Sequence, residues 1–289
     1  MNLTTQVGIC NLALMRIGAK CDLTTVTGSG PPYDQITASY DLERDYLLSL
    51  MPWHFGQKRK ELDYIVSTIS AATQANPVVV TVGSIASFPD GCLAEITHVD
   101  GMTDLNDDVY YLDNRDTDNN TAELYDDDPA EQSDVAGTET LNTHDSIDGT
   151  AYSAWTANGQ LRLVPYGYGY AYSLPSDCLA VTSLMDAAGV SSEAYEINLD
   201  KLYTNLADAF IEYSYQITDD TTAIFHASFI DCFAWRLAMV WAKPLADDID
   251  VAKEMKEQYH LALSAAQAND ARQNPRDYSY TDTFLSARG

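Results

Sequence analysis

Phe225, Phe229, Phe233, Leu237, Val240 and Trp241 leave the stretch from 225 to 243 apolar on almost every side. A helix without a polar face has to be enclosed all round, so this stretch predicts a buried central helix, with Pro244 ending it. Its longest apolar run, Ile230 to Ala242, is interrupted by Asp231 and Arg236 and is too short to span a bilayer, so no membrane segment is expected. Elements able to cover such a helix stand at both ends of the chain. Residues 5 to 17 put Val7, Cys10, Leu14 and Ile17 at spacings of three and four, with Thr4 or Thr5 as the cap and Gly18 as the stop. After the turn-forming Gly28-Ser29-Gly30-Pro31-Pro32, a second helix is expected from about Asp34 to Met51, with Ile36, Tyr40, Leu47 and Leu50 inward and Pro52 ending it. Between 248 and 272, Ala252, Met255, Tyr259, Ala262 and Ala266 mark one face of a long amphipathic helix. The tail beyond Asn274-Pro275 is short and polar, with Tyr278, Tyr280 and Phe284 as its large apolar anchors.

Between these helical ends the period changes to that of strands. Val78 to Val82 is β-branched, Asp90-Gly91 and Asp100-Gly101 are turn dipeptides, and Tyr110 to Leu112 and Ala122 to Tyr125 predict further strands. Tyr166, Tyr168, Tyr170 and Tyr172 alternate with Gly167, Gly169 and Ala171, which on a single strand puts every tyrosine on one face. Further strands are expected over Ala194 to Leu206 and Phe210 to Ile217. The expected class is therefore α+β: a helical bundle with an antiparallel β platform, formed by 1–65 and 164–289, and an inserted small all-β domain at 66–163.

The charge balance narrows function. The chain has 43 acids against 16 bases, and residues 66 to 165 alone contain eighteen acids with only Arg115 and Arg162 to offset them. A protein that grips phosphates needs a basic surface, and the single compact basic cluster, Lys58-Arg59-Lys60, reads as a solvated helix end or a contact between subunits. The tyrosine ladder could stack bases or sugars, but its acidic neighbours favour core or subunit-interface packing. Five cysteines lie far apart with no C-x-x-C pair, so neither a disulfide framework nor a zinc site is expected. Asp116-x-Asp118-x-Asn120 begins like a calcium loop, yet Thr121 stands where the turn glycine belongs and Asp127 where a bidentate glutamate belongs, which favours a solvated turn. No H-E-x-x-H, nucleophile elbow, G-x-G-x-x-G or P-loop occurs, so neither catalytic residues nor a cofactor or metal is assigned. The first twenty residues lack the basic start of a signal peptide, and synthesis in a reducing host cytoplasm is expected.

Four segments in order carry a resemblance: Asn11 to Gly18; Leu47-Leu48-x-x-Met51-Pro52-Trp53-His54-Phe55 through Arg59 and Leu62; Tyr170-Ala171-Tyr172-x-Leu174-Pro175-x-Asp177-Cys178-Leu179; and Phe229, Leu237, Ala238 and Ala242-Lys243-Pro244-Leu245. Together they resemble the tail tubular protein A family, the head-to-tail adaptors of podoviruses, over most of residues 1 to 65 and 165 to 273. The middle departs from the family pattern. Its Val79-Thr81-Val82, Ile96-Thr97-x-Val99-x-Gly101-Met102 and Glu123-Leu124-Tyr125-Asp126 are similar to a β module akin to the first catalytic cysteine half-domain of ubiquitin-activating enzymes; no adenylation machinery accompanies it, so that activity does not follow.

The resemblance implies a structural virion protein of the tail and neck, not an enzyme. It implies a ring, of twelve copies, between the portal protein and the tail nozzle, with tail fibre proteins as further partners and DNA passing through without sequence-specific binding. Arg276, Tyr278, Tyr280, Phe284 and Arg288 are the expected portal-docking residues, and Trp53, Phe55, Tyr172, Pro175, Phe229, Phe233 and Trp241 the expected core packing. The alternative from another class is a receptor- or glycan-binding virion tail protein whose β module does the recognising. A cell-wall hydrolase would need two carboxylates in one cleft, and no sequence context singles out such a pair.

Overall fold

A computed structural model describes residues 5–126, 145–192, 194–218 and 224–273. The fold is α+β, and the chain divides into two units: 1–59 with 177–182 and 212–289, and 60–176 with 183–211.

In the helical unit, α1 spans Gln6–Arg16, α2 Pro31–Leu50, α3 Ala227–Ala246 and α4 Ile249–Gln273. Thr5 caps α1, its hydroxyl accepting from the Gly8 N–H at 3.1 Å. Gly18 lies just past the end at φ 72, the left-handed conformation that lets a chain leave a helix. Helix α2 begins three residues earlier than the sequence suggests, because Pro31 and Pro32 occupy the first turn, where a missing N–H is harmless. Leu50, expected inward, is 41% exposed at the end of α2. Pro244 does not end α3. It sits in the last turn, where only one backbone bond is forfeited, and the helix closes at Asp247 (φ 50), whose N–H donates to the Lys243 carbonyl at 3.1 Å. Helix α3 contacts α1, α2 and α4, as its lack of a polar face demands.

The second unit is built on a closed antiparallel barrel. Its strands are β2 (Val66–Ala72), β3 (Val79–Val82), β4 (Cys92–Asp100), β5 (Asp108–Asp116), β6 (Thr121–Asp126) and β7 (Ala157–Val164), in the order β2-β3-β6-β5-β4-β7. Alternate residues point inward, so Ile69, Val80, Val82, Ala94, Ile96, Leu112, Leu124, Leu161 and Leu163 fill the core, while Glu95, Asp113 and Glu123 take the alternate positions. The calcium-like segment is the β5–β6 turn. Asp116 accepts from the backbone N–H groups of Asp118 and Asn119 at 2.8 and 3.1 Å and from the Asn119 side chain at 2.6 Å.

Beside the barrel strands in sequence are β8 (Tyr170–Ser173), β11 (Tyr195–Asn198) and β12 (Lys201–Thr204), a three-stranded antiparallel sheet in the order β11-β12-β8. The tyrosine ladder is not one strand. Gly167 at φ 79 turns the chain, the Tyr168 N–H donates to the Pro165 carbonyl at 3.2 Å, and only Tyr170 and Tyr172 belong to β8. Tyr172 is fully buried, stacks on Tyr64 at 4.9 Å and donates its hydroxyl to the Leu206 carbonyl, whereas Tyr166 is 96% exposed. Strands β1 (Gln57–Glu61), β9 (Cys178–Met185), β10 (Ser191–Ser192) and β13 (Phe210–Tyr215) form a second sheet in the order β1-β13-β9-β10.

Candidate functional site

The segment from Met51 to Arg59 organises the helical unit. Met51 is extended (φ −157), so the chain leaves α2 abruptly, and the Trp53 indole N–H turns back to the Leu47 carbonyl at 2.6 Å, satisfying one of the helix's open acceptors. That bond fixes the indole edge-on to Phe229 at 5.0 Å. Phe55 meets Phe225 at 5.7 Å and Phe229 at 5.0 Å, and Phe233 continues the contact to Tyr40 at 5.1 Å. Of the residues expected to pack the core, Trp53, Phe229, Phe233 and Trp241 are fully buried in this unit, with Phe55 half-buried. In the other unit Tyr172 is fully buried and Pro175 half-buried.

Between Trp53 and Phe55, the His54 N–H donates to both oxygens of Asp270 at 3.1 and 3.2 Å, tying the segment to the last turns of α4. Strand β1 follows. Lys58 donates to Asp177 at 2.7 Å while its ammonium lies 3.9 Å from the centre of the Tyr215 ring, and the Tyr213 hydroxyl reaches the other Asp177 oxygen at 3.1 Å. Burial opposes the charge on Asp177, but the bonds from Lys58 and Tyr213 outweigh it and hold the carboxyl below its ordinary value. Burial, helped by Asp177, pushes the Tyr213 phenol up to about 12. Arg59 pairs with Glu212 at 3.3 Å, and Gln57 bridges Ser214 at 2.8 Å and Thr182 at 2.9 Å.

Lys58, Arg59 and Lys60 thus lie on a strand, not at a helix end, and the first two are matched to acids. Lys60 pairs with Asp63 at 3.6 Å. Such a cluster is a poor phosphate grip, because its charge is already compensated. An open depression of about 720 Å³ is walled by Met51, Pro52, His54, Lys58, Arg59 and Asp270. It is rimmed by the paired charges and adjoins the end of α4. The proposed portal-docking residues Arg276, Tyr278, Tyr280, Phe284 and Arg288 lie outside the described residues.

Sequence reasoning missed Asp270, Asp177 and Glu212 as partners of this segment. No local pattern could reveal pairs that are 216, 119 and 153 residues apart. It also missed the Arg236–Glu43 pair, where the guanidinium lies between Tyr46 and Tyr259, 4.5 and 5.4 Å from their ring centres.

Among the described residues no group of three or more His, Cys, Asp or Glu side chains could hold a metal ion. Burial pushes the Cys92 and Cys232 thiols up to about 12 and Cys178 to about 11, so these three are poor nucleophiles near neutral pH. No helix among the described residues is long and apolar enough to cross a membrane. Compared with models of known protein families the chain matches none, and no curated protein matches it.

Proposed function

We propose that this chain is a head-to-tail adaptor of a short-tailed bacteriophage, a structural ring subunit between portal and tail nozzle that works without catalytic turnover. The observation that carries the reading is the convergence of three of the four segments bearing the resemblance. Ala13, Leu14 and Ile17 of the first segment, Leu47, Leu48 and Trp53 of the second, and Phe229, Leu237, Ala238 and Ala242 of the last all belong to one hydrophobic core. Motifs scattered over more than two hundred residues thus serve a single purpose, which supports their being a set.

In this reading the four helices act as a bundle with a β platform beneath the portal, in a ring of twelve, and the barrel is an inserted module. Arg276, Tyr278, Tyr280, Phe284 and Arg288 make the portal contact, the nozzle binds below, and tail fibre proteins are further partners. The net charge of −27 suits a channel wall: phosphates are repelled, so DNA slides through without sequence-specific binding. Gold-labelled antibody against the chain, applied to purified virions of a phage encoding it, tests the proposal. Label at the neck between capsid and tail is the expected result. Label confined to fibres, or particles that lack the chain, overturns it.

A further inference from the structure

The barrel carries a concavity that an adaptor role does not use. It lies where the end of β4 meets the start of β7 and is an open cleft of about 670 Å³. Thr97 pairs with Gln160 and Val99 with Asn158, so His98 at φ 59 stands opposite Gly159 at φ 116, and Asn158, just before Gly159, is at φ 57. Left-handed residues on two paired strands break the regular alternation and re-aim side chains at the sheet surface. Gly159 is required there, since a Cβ would come within 3.0 Å of both Ile69 Cβ and Val99 Cγ2. Gly101 is required too: a Cβ would meet the Ala154 carbonyl oxygen at 2.2 Å, so the residues leading into β7 lie tight against the end of β4.

That close approach fixes Trp155. Its indole N–H donates to the Asn158 carbonyl at 3.0 Å, the Thr156 N–H donates to the Asp100 carbonyl at 2.9 Å, and the Asn158 side-chain amide donates to the Asp100 carboxylate at 2.6 Å. Trp155 packs partly on the barrel core and also lines the cleft. Around it stand Thr68, His98, Asp100, Asn158 and Gln160.

This is a particular chemistry. With its N–H engaged, the indole offers a flat apolar surface, and the surrounding hydroxyl, amides, imidazole and carboxylate both donate and accept at short reach. A ligand that fits must carry an apolar face edged by hydroxyls, as a pyranose ring does. A phosphate is disfavoured, because Asp100 is in the cleft and no lysine or arginine lines it. A purely apolar ligand would leave the polar rim unpaired. We propose that this cleft binds a neutral oligosaccharide, with one sugar ring stacked on Trp155 and its hydroxyls bonded by Asp100 and Asn158. The proposal concerns the barrel alone and stands whether or not the chain is an adaptor.

The test uses the full-length chain on a printed array of neutral and acidic bacterial oligosaccharides, followed by calorimetric titration of the strongest neutral hit. Saturable binding is expected, with Trp155→Ala weakening it roughly tenfold or more, the loss of an aromatic stacking surface. Because that truncation touches the core, Asp100→Asn is the second variant; it keeps the side chain's shape, leaves the melting curve unchanged and weakens binding severalfold. Absence of any neutral hit, hits restricted to acidic sugars, or affinity unchanged in Asp100→Asn would overturn the proposal. Sugar binding by a chain absent from the virion neck would sink the adaptor reading and leave this one standing.

Discussion

The helical unit and the barrel unit enclose apolar surface by opposite means. The first concentrates it in a few large rings, Trp53, Trp241, Tyr40, Phe229 and Phe233, and holds cations within the fold by matching them to acids: Arg16 to Asp231, Arg44 to Asp41 and Asp45, Arg236 to Glu43. The second spreads its core over many small aliphatic side chains, with Phe88, Tyr110 and Tyr172 the large exceptions among the described residues. Irregular backbone is divided just as unevenly. Seven of the eight described non-glycine residues at positive φ belong to the barrel unit, the exception being Asp247. A core of few large rings is specific but vulnerable at single positions; a barrel of many small ones tolerates local backbone distortion, and there the chain can build a binding surface.

The comparison breaks first at the aromatic cluster. Trp53→Ala or Phe229→Ala should destabilise the helical unit by about 3–5 kcal/mol, the usual cost of emptying a fully buried aromatic site. Scanning calorimetry should show that unit's transition falling while the barrel's holds; a common shift of both would mean that the units melt as one. A smaller effect follows from Arg236→Met, which leaves Glu43 without its charged partner on a side chain only 10% exposed. The expected loss is about 1.5–3 kcal/mol, and Glu43→Gln with Arg236→Met should recover part of it, because the desolvated charge is then gone.

What could be read from the sequence follows the same division. Helices α1 and α4 were legible, since Thr5, Gly18 and the row Met255, Tyr259, Ala262 and Ala266 are local signals with a helical period. Pro244 was misleading, because the cost of a proline depends on its distance from the helix end, which the residue itself does not disclose. The tyrosine ladder misled for a related reason: strict alternation looks like a strand whether or not the intervening glycines use their freedom to turn, and Gly167 does. The candidate sites were least legible. Lys58 finds Asp177, and Asp100 finds Asn158, only through strand register, and register is set by the whole sheet.

Leu199 sharpens the contrast with a gain in stability. It is the first residue of the two-residue β11–β12 turn, at φ 56 and 89% exposed, a place where asparagine or glycine is at ease and a branched apolar side chain is not. Leu199→Asn should stabilise the barrel unit by about 1 kcal/mol through relief of that strain. Thermal melts showing a loss instead would mean that the Leu199 side chain makes a compensating contact.

The smallest expected effect lies at Asp177 and concerns acid. Its folded-state carboxyl sits below the ordinary value: burial raises it, but the bonds from Lys58 and Tyr213 lower it further. A carboxyl shifted in this direction stabilises the fold at every pH above its unfolded value, near 3.9, and that contribution is lost as pH falls through the lower folded value. The helical unit should therefore weaken at the acid edge, and Asp177→Asn should remove the part of the slope that Asp177 supplies. The two proteins should differ most near neutrality, by at most about 1 kcal/mol because the side chain is 35% exposed and partly screened, and their stabilities should converge at the acid limit where the folded-state carboxyl is protonated. Urea titrations between neutral pH and that limit measure the gap. A gap that stays constant with pH would assign the role of Asp177 to shape and hydrogen bonding, leaving the charge of Lys58 to be balanced elsewhere.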